Sequence, residues 1–288
     1  MKKTFLVIIT IISVFSLTSC ILEPTVSEVE TLSQFLESLG FGDKEIKLAS
    51  DIDISSGGYT STNPLILDLT GVELDLNGHS ICGIMSSSVS GNGDHSYQTV
   101  DCSLRVVGSN FTIKNGSLKL SPSTKYPIAL VVNQSSFSSN VNSSEYADTK
   151  EYADFTEYKS SHKYGDNARY SRITLSDIVC DNGGIMITDS EAELINCSFT
   201  QISKSYTNSI ANITCTFSKV TIIGGTYNNY QSVATGKFVR WLKLYWSTGI
   251  VENGVTHNLN SSHYKYVEDS MFYPEKSSTG IELSETSK

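Results

Sequence analysis

Apolar and polar positions follow three different rhythms along this 288-residue chain. The first is a solid run: Phe5 to Leu17 carries no charge and follows Lys2 and Lys3. It is shorter than the roughly 20 apolar residues needed to span a bilayer and has the proportions of a signal-peptide core. The second rhythm is helical. Val29, Leu32, Phe35, Leu36 and Leu39 fall on one face of a predicted helix over 27–40. Ser27-Glu28-Val29-Glu30 has the form of a capping box, in which serine and glutamate satisfy the free first-turn amides, and Gly40 can close the helix in a left-handed conformation. The third rhythm has a period of two and runs from residue 45 to about 250. Ile46, Leu48, Ile52 and Ile54 lead to Leu65, Leu67 and Leu69, then to Val72, Leu74 and Leu76, with Gly, Asn and Ser between them. Such alternation predicts short strands joined by tight turns. Only five prolines occur, as expected where backbone amides must serve in ladders.

The first run ends in Leu17-Thr18-Ser19-Cys20. With the charged start and apolar core before it, this resembles the lipobox of bacterial lipoproteins. The resemblance implies removal of residues 1–19 and lipid on Cys20, leaving residues 20–26 as a tether. One acyl chain holds a membrane only marginally, whereas two or more make the anchor lasting. Ile21 stands where Asp would be the inner-membrane signal, which resembles the outer-membrane sorting pattern of a Gram-negative cell. The expected location is therefore the cell envelope.

Repeats shape the fold expectation. Ile178-Val179-Cys180, Ile195-Asn196-Cys197 and Ile213-Thr214-Cys215 share an Ile-x-Cys frame at intervals of 17 and 18 residues. Strand residues two apart point the same way, so each Ile and Cys is expected to face inward and the three copies to stack. A second echo links Phe111–Leu118 with Val220–Tyr227: both read apolar-Thr-Ile, a small turn, then Ser or Thr before a large apolar residue. Leu74–Ile81 is a looser relative. Short strands in repeats of this length suit a parallel β-helix, in which no rung buries its inner face alone. Glu45–Ile52 followed by Leu74-Asp75-Leu76-Asn77-Gly78-His79 resembles the opening of right-handed β-helix proteins of the pectate-lyase-like superfamily. The expectation is thus an all-β chain: residues 27–44 a capping helix, 45–250 a right-handed parallel β-helix (a solenoid) with an insertion at 134–171, and 251–288 a C-terminal cap and tail. The helix would cover the open end of the coil, unless it merely belongs to the tether. The alternative architecture is an antiparallel β-sandwich.

Charge narrows the partners. The chain carries 30 acidic and 21 basic residues, a formal net charge of −9 that becomes −11 once Lys2 and Lys3 are removed. Nucleic acid is therefore not an expected partner, and a polyanionic polysaccharide would need a bridging cation. Beyond Cys20 lie Cys82, Cys102, Cys180, Cys197 and Cys215, an odd number that cannot all pair. An exported compartment permits disulfides, Cys82 with Cys102 for instance, but free cysteine also serves as a small buried apolar residue. His79 and Cys82 sit three apart without a second such pair, so no metal or other cofactor is expected.

Candidate binding residues come from the aromatics. Tyr146, Tyr152, Tyr158, Tyr164 and Tyr170 recur every six residues within the polar insertion. In an extended chain an even interval places all five on one side. The segment reads either as an inert surface insert or as a loop whose rings stack on sugars or pack into a protein partner. Trp241, Tyr245 and Trp246 form a second group, either capping the last rung or offering a glycan-stacking platform. Catalytic candidates are weaker. Glycoside hydrolysis needs two carboxylates at a set separation, and the pairs available are Asp51 with Asp53, Glu191 with Glu193, and Asp68 with Asp75. The Gly-His-Gly and Arg-x-Lys motifs of polygalacturonases and the Arg-x-Pro-x-x-Arg run of pectate lyases are absent. The expected function is a lipid-anchored envelope protein that binds glycan or a surface partner. The alternatives are a polysaccharide lyase or glycoside hydrolase, and a structural envelope protein.

Overall fold

A computed structural model describes residues 26–90, 99–124, 126–133, 171–202, 211–216, 218–230, 241–245, 247–252, 254–259, 270–271 and 281–283. Among them, strands dominate, with one α-helix and one 3-10 turn. The strands make two parallel sheets. The longer has fourteen strands, the shorter seven. The spine of the long sheet runs Ser27–Val29, Glu45–Leu48, Glu73–Asp75, Phe111–Leu120, Ser171–Asp181, Ser190–Ile195, Lys219–Ile223, Thr248–Val251 and Ile281–Leu283. A second flank of the same sheet adds Ile52–Asp53, Ser80–Ile84, Ser198–Gln201, Thr226–Asn229 and Thr256–Leu259. The seven-stranded sheet runs Leu65–Asp68, Leu104–Val107, Ile128–Val132, Gly184–Thr188, Ile213–Thr216, Leu242–Tyr245 and Ser270–Met271. From Leu104 onward the chain passes repeatedly from the short sheet to the long one and back. The one antiparallel pair among the described strands is the hairpin Ser86–Ser90 with Thr99–Cys102. An antiparallel sandwich is therefore not what forms: in both sheets each strand pairs with a strand from an earlier or later pass.

Alternation explains the core. Ile46, Leu74, Ile113, Leu175, Leu194, Ile222 and Val251 lie in register across the spine, and all are buried. On the second flank Cys180, Phe199 and Tyr227 share a row, as do Ile52, Ile81 and Leu118. In the short sheet Leu67, Val106, Val132, Ile187, Cys215 and Leu244 make a third column. Each fully buried aliphatic or aromatic side chain contributes about 1.5–3 kcal/mol. A slip of one residue would turn a whole column toward water, which is why register is fixed. The echo between 111–118 and 220–227 is a real correspondence: Phe111 aligns through Ile173 and Ala192 with Val220, and Ile113 through Leu175 and Leu194 with Ile222. The small turn within that echo is a corner. Asn77, Asn115, Asp177, Asn196 and Gly224 all adopt positive φ there, at 51°, 58°, 54°, 51° and 64°. Asn, Asp and Gly are the residues that tolerate this conformation.

Two expectations need correction. The helix spans Leu32–Phe41, not 27–40, and Thr31 caps it. Thr31 Oγ1 accepts from the Gln34 amide at 3.2 Å, and Gln34 Oε1 accepts from the Thr31 amide at 3.1 Å. Gly42, at φ 81°, closes the helix with its amide bonded to Leu39 and Ser38 carbonyls, so Gly40 is not the terminator. Ser27–Val29 instead pairs with Glu45–Leu48, because Val29 gains a buried place beside Leu48 that a helix would deny it. Phe35 is buried, and Leu32, Leu36 and Leu39 pack against the core.

The three Ile-x-Cys copies do not stack on one another. Cys180 sits beside Phe199 in the long sheet, Cys197 follows the corner residue Asn196, and Cys215 lies in the short sheet beside Ile187. Cys180, Cys197 and Cys215 are buried, yet Ile195 is only partly so. All five described cysteines are free thiols, including Cys82 and Cys102. Burial pushes Cys102 and Cys197 up to about 12, and Cys180 and Cys215 higher still, so these four are core residues.

The core also holds amides. Asn212 Nδ2 donates to the Phe199 and Asn228 carbonyls, both at 2.9 Å, and Asn229 Nδ2 donates to Gln201 Oε1 at 3.2 Å. Most buried amide groups are bonded in this way, while Asn212 Oδ1 has no hydrogen-bond partner among the described residues.

Candidate binding site

The two sheets meet solvent differently. Every residue of Ile128–Val132, Gly184–Thr188 and Ile213–Thr216 is buried, so both faces of the short sheet are covered there. Strands sealed on both sides read as continuous apolar runs rather than as alternation. The long sheet keeps the alternation, with Lys219–Ile223 burying every second residue. Its outer face is therefore the accessible one.

An open groove of about 360 Å³ lies on that face, just past the left-handed corner. Its walls are Gly78, the segment Asn115–Lys119, and Asp177, Val179 and Asp181. Gly116 permits the close approach of strands behind it: a Cβ there would lie 2.3 Å from Leu76 Cβ and 2.4 Å from the His79 carbonyl. Ser117 pairs with Val179 across the ladder and shares a hydroxyl hydrogen bond of 2.9 Å with Ser80. Val179 is 39% exposed and adds apolar surface to the groove beside its polar groups.

A charge cluster borders the groove. The Ser80 amide donates to Asp51 Oδ1 at 2.8 Å, His79 Nδ1 lies 3.7 Å from the same oxygen, and Lys119 Nζ lies 3.7 Å from Asp51 Oδ2. The Ser80 amide first, with the Lys119 charge adding to it, holds the Asp51 carboxyl below its ordinary range against a small desolvation cost. Asp51 is therefore a fixed, ionised acceptor at neutral pH. Cys82 lies nearby, and partial burial, then the charges of Asp53 and Asp51, push its thiol up, away from a nucleophilic thiolate.

Members of the carboxylate pairs named from sequence are taken up by other contacts. Asp53 accepts from the Ser55 amide at 2.9 Å and caps the 3-10 turn, and its charge and that of Asp51 both act on Cys82. Glu191 lies 3.5 Å from Arg172 Nε and 3.7 Å from Lys219 Nζ, a surface ion cluster. Asp68 bonds the Thr70 amide in the short sheet, while Asp75 bonds Asn77 in the long one. Among the described residues no group of three His, Cys, Asp or Glu side chains is placed to hold a metal.

Of the aromatic candidates, Trp241 is 1% exposed and stacks at 5.2 Å on buried Tyr227, so it is a core residue with no free face for a sugar. Tyr245 ends the strand Leu242–Tyr245. Cys20, Tyr146, Tyr152, Tyr158, Tyr164, Tyr170 and Trp246 lie outside the described residues, as do residues 1–19 and the insertion up to residue 170. Lys119, Asp177 and Asp181 were not singled out from sequence; the parity shared by 117, 119, 179 and 181 is the signal that marks them. No helix among the described residues is long and apolar enough to cross a membrane. Comparisons with known proteins find no matching family model, no similar curated protein and no similar solved structure.

Proposed function

We propose that this chain is a lipid-anchored cell-envelope protein that binds glycan on the outer face of the long sheet, and that its body is a right-handed parallel β-helix. The lipobox-like Leu17–Cys20 supports the anchor, and the steady passage of the chain between two parallel sheets supports the coil. The groove beside Asp51 and Lys119 carries the binding reading. Its carboxylates and lysine are exposed and hydrogen-bonding, suited to sugar hydroxyls. A hydrolase would require one carboxyl kept protonated by burial, and Asp177 and Asp181 are both solvent-exposed. The Tyr146–Tyr170 segment supplies a second candidate element on sequence grounds alone.

The test is a glycan array probed with the processed protein, beside reducing-end and unsaturated-product assays on every bound glycan. Retention without turnover is the expected result. Product formation abolished by Lys119→Ala would replace this reading with a carbohydrate-active enzyme, which the joint presence of Lys119 with Asp177 and Asp181 in one groove favours as the alternative. Metabolic labelling with palmitate, lost in Cys20→Ser, checks the anchor.

A further inference from the structure

Beyond the groove, the same outer face changes character. Three neighbouring strands, Ser198–Gln201, Thr226–Asn229 and Thr256–Leu259, stand in parallel register with Ser198 beside Thr226 beside Thr256, and Thr200 beside Asn228 beside Asn258. Phe199, Gln201, Tyr227 and Asn229 are fully buried, so the residues between them face outward. One step further, the Tyr230 amide donates to the Gln201 carbonyl at 2.8 Å, which sets Tyr230 next to Ile202. Tyr230 is 46% exposed and Ile202 63% exposed.

We propose that this surface is a platform for an uncharged, linear glycan lying across the strands, with Tyr230 stacking on a sugar ring. The proposal rests on the glycan reading above and names the class of ligand and the residues that take it. Three observations carry it.

The first is charge. The outward residues described on these three strands, Ser198, Thr200, Thr226, Asn228, Thr256 and Asn258, carry no charge, and the charge next to them in register is the exposed carboxylate of Asp181 beside Thr200. An anionic ligand would lose hydration here with Asp181 opposing it and no counter-charge on these strands, whereas hydroxyls exchange water for amide and hydroxyl partners.

The second is fixed geometry. Asn258 Nδ2 donates to Asn228 Oδ1 at 2.8 Å, and Asn228 Nδ2 donates to Thr200 Oγ1 at 3.3 Å. Side chains already tied to one another lose little freedom on binding.

The third is the combination of an exposed ring and an aliphatic neighbour with a row of hydrogen-bonding groups, which matches the two faces of a pyranose, C–H on one side and hydroxyl at the rim. Because parallel strands repeat every ~4.8 Å, similar donors recur at a constant step, and a polymer of repeating units running across the strands can meet one set after another.

The experiment uses the processed full-length protein and isothermal titration calorimetry. The probes are neutral hexasaccharides of glucose, mannose and N-acetylglucosamine, their disaccharides, and hexagalacturonate as the charged control. The expected result is that at least one neutral hexasaccharide binds more tightly than its disaccharide and than hexagalacturonate. Tyr230→Ala should then weaken it about ten-fold, and Asn228→Ala should weaken it too, with circular dichroism unchanged. Neutral binding that survives both substitutions but falls with Lys119→Ala overturns the platform while leaving the glycan reading intact. Preference for hexagalacturonate, or equal affinity for disaccharide and hexasaccharide, also overturns it. Binding of none of these probes overturns the platform, and only a blank glycan array alongside would remove the glycan reading as well.

Discussion

Asp189→Asn should stabilise the protein, and the gain should grow with pH. Asp189 occupies the turn between Gly184–Thr188 and Ser190–Ile195, where the chain crosses from the short sheet to the long one. Its φ is 47°, and its amide donates to the Thr216 carbonyl at 3.1 Å. Burial pushes its carboxyl up from 3.8 to about 7. A folded-state pKa above the unfolded value means that the folded state favours the protonated acid. Relative stability is therefore full below about pH 4 and is lost as pH rises to about 7, after which the loss is constant. At about 1.4 kcal/mol for each tenfold change in acidity, the whole displacement corresponds to about 4 kcal/mol. Solvent reaching the partly exposed carboxylate reduces this to about 2 kcal/mol. Asparagine has the same shape, tolerates the left-handed conformation and does not ionise. Urea unfolding at pH 4, 5.5, 7 and 8.5 checks the prediction: the two proteins should coincide at pH 4, and the variant should lead by about 2 kcal/mol at pH 8.5. A difference that is flat across the series, or that shrinks as pH rises, would refute the claim that desolvation of this carboxylate is uncompensated.

Two further predictions concern the scaffold. Gly225→Ala should cost about 3 kcal/mol or more in chemical unfolding, because its φ is 92° and an added Cβ would lie 2.2 Å from the Cys197 carbonyl oxygen; a loss below about 1 kcal/mol would mean that the corner yields easily. Phe199→Ala should cost about 3–5 kcal/mol, since Phe199 is fully buried and meets Tyr227 edge-on at 5.7 Å. Phe41→Ala, at a ring 78% exposed, is the matched control and should stay within about 0.5 kcal/mol of the parent.

The sequence carried strand parity well because parity is a local property enforced by burial. Ile46, Leu74 and Ile113 face inward as alternation requires. The Ile-x-Cys frame misled because parity fails across a left-handed residue. Asn196, at φ 51°, separates Ile195, which ends one strand, from Cys197, which begins the next approach to the core. Ile213 and Cys215 do obey parity, but in the other sheet. Three tripeptides of one Ile-x-Cys frame thus occupy three different environments, and only the spacing of corners would have told them apart. The helix boundary moved for a similar reason. Ser27 and Thr31 both precede Glu or Gln by three residues, and the choice between them was made by Leu48, nineteen residues beyond Val29, through a ladder that no local pattern reveals. Of the proposed binding face, Tyr230 carries no sequence signal because it stands apart from the aromatic clusters. Its exposure follows from a single alternation, Tyr227 inward, Asn228 outward, Asn229 inward, Tyr230 outward.

The buried amides explain how that face can be held still. Gln201 lies between Thr200 and Ile202, and Asn229 between Asn228 and Tyr230, so each amide stands directly behind the outward residues. Gln201 Nε2 donates to the Ala211 carbonyl at 3.0 Å and to the Pro127 carbonyl at 3.3 Å, reaching from the long sheet to segments that flank the short one. Gly184 leaves room for it, since a Cβ there would lie 2.7 Å from that nitrogen. Apolar side chains at 201 and 229 could fill the same space, because burial is not directional, but they would strip the Ala211 and Pro127 carbonyls of this donor. Hydrogen bonds are directional, and a buried amide that slips leaves unpaired groups at a cost of about 1–3 kcal/mol each. The strands beneath Thr200, Asn228 and Tyr230 are thereby tied in register and in depth from the inside, much as the buried serines Ser190, Ser218 and Ser247 tie another set of turns by hydrogen bonds from the Ser190 and Ser218 amides to the next hydroxyl.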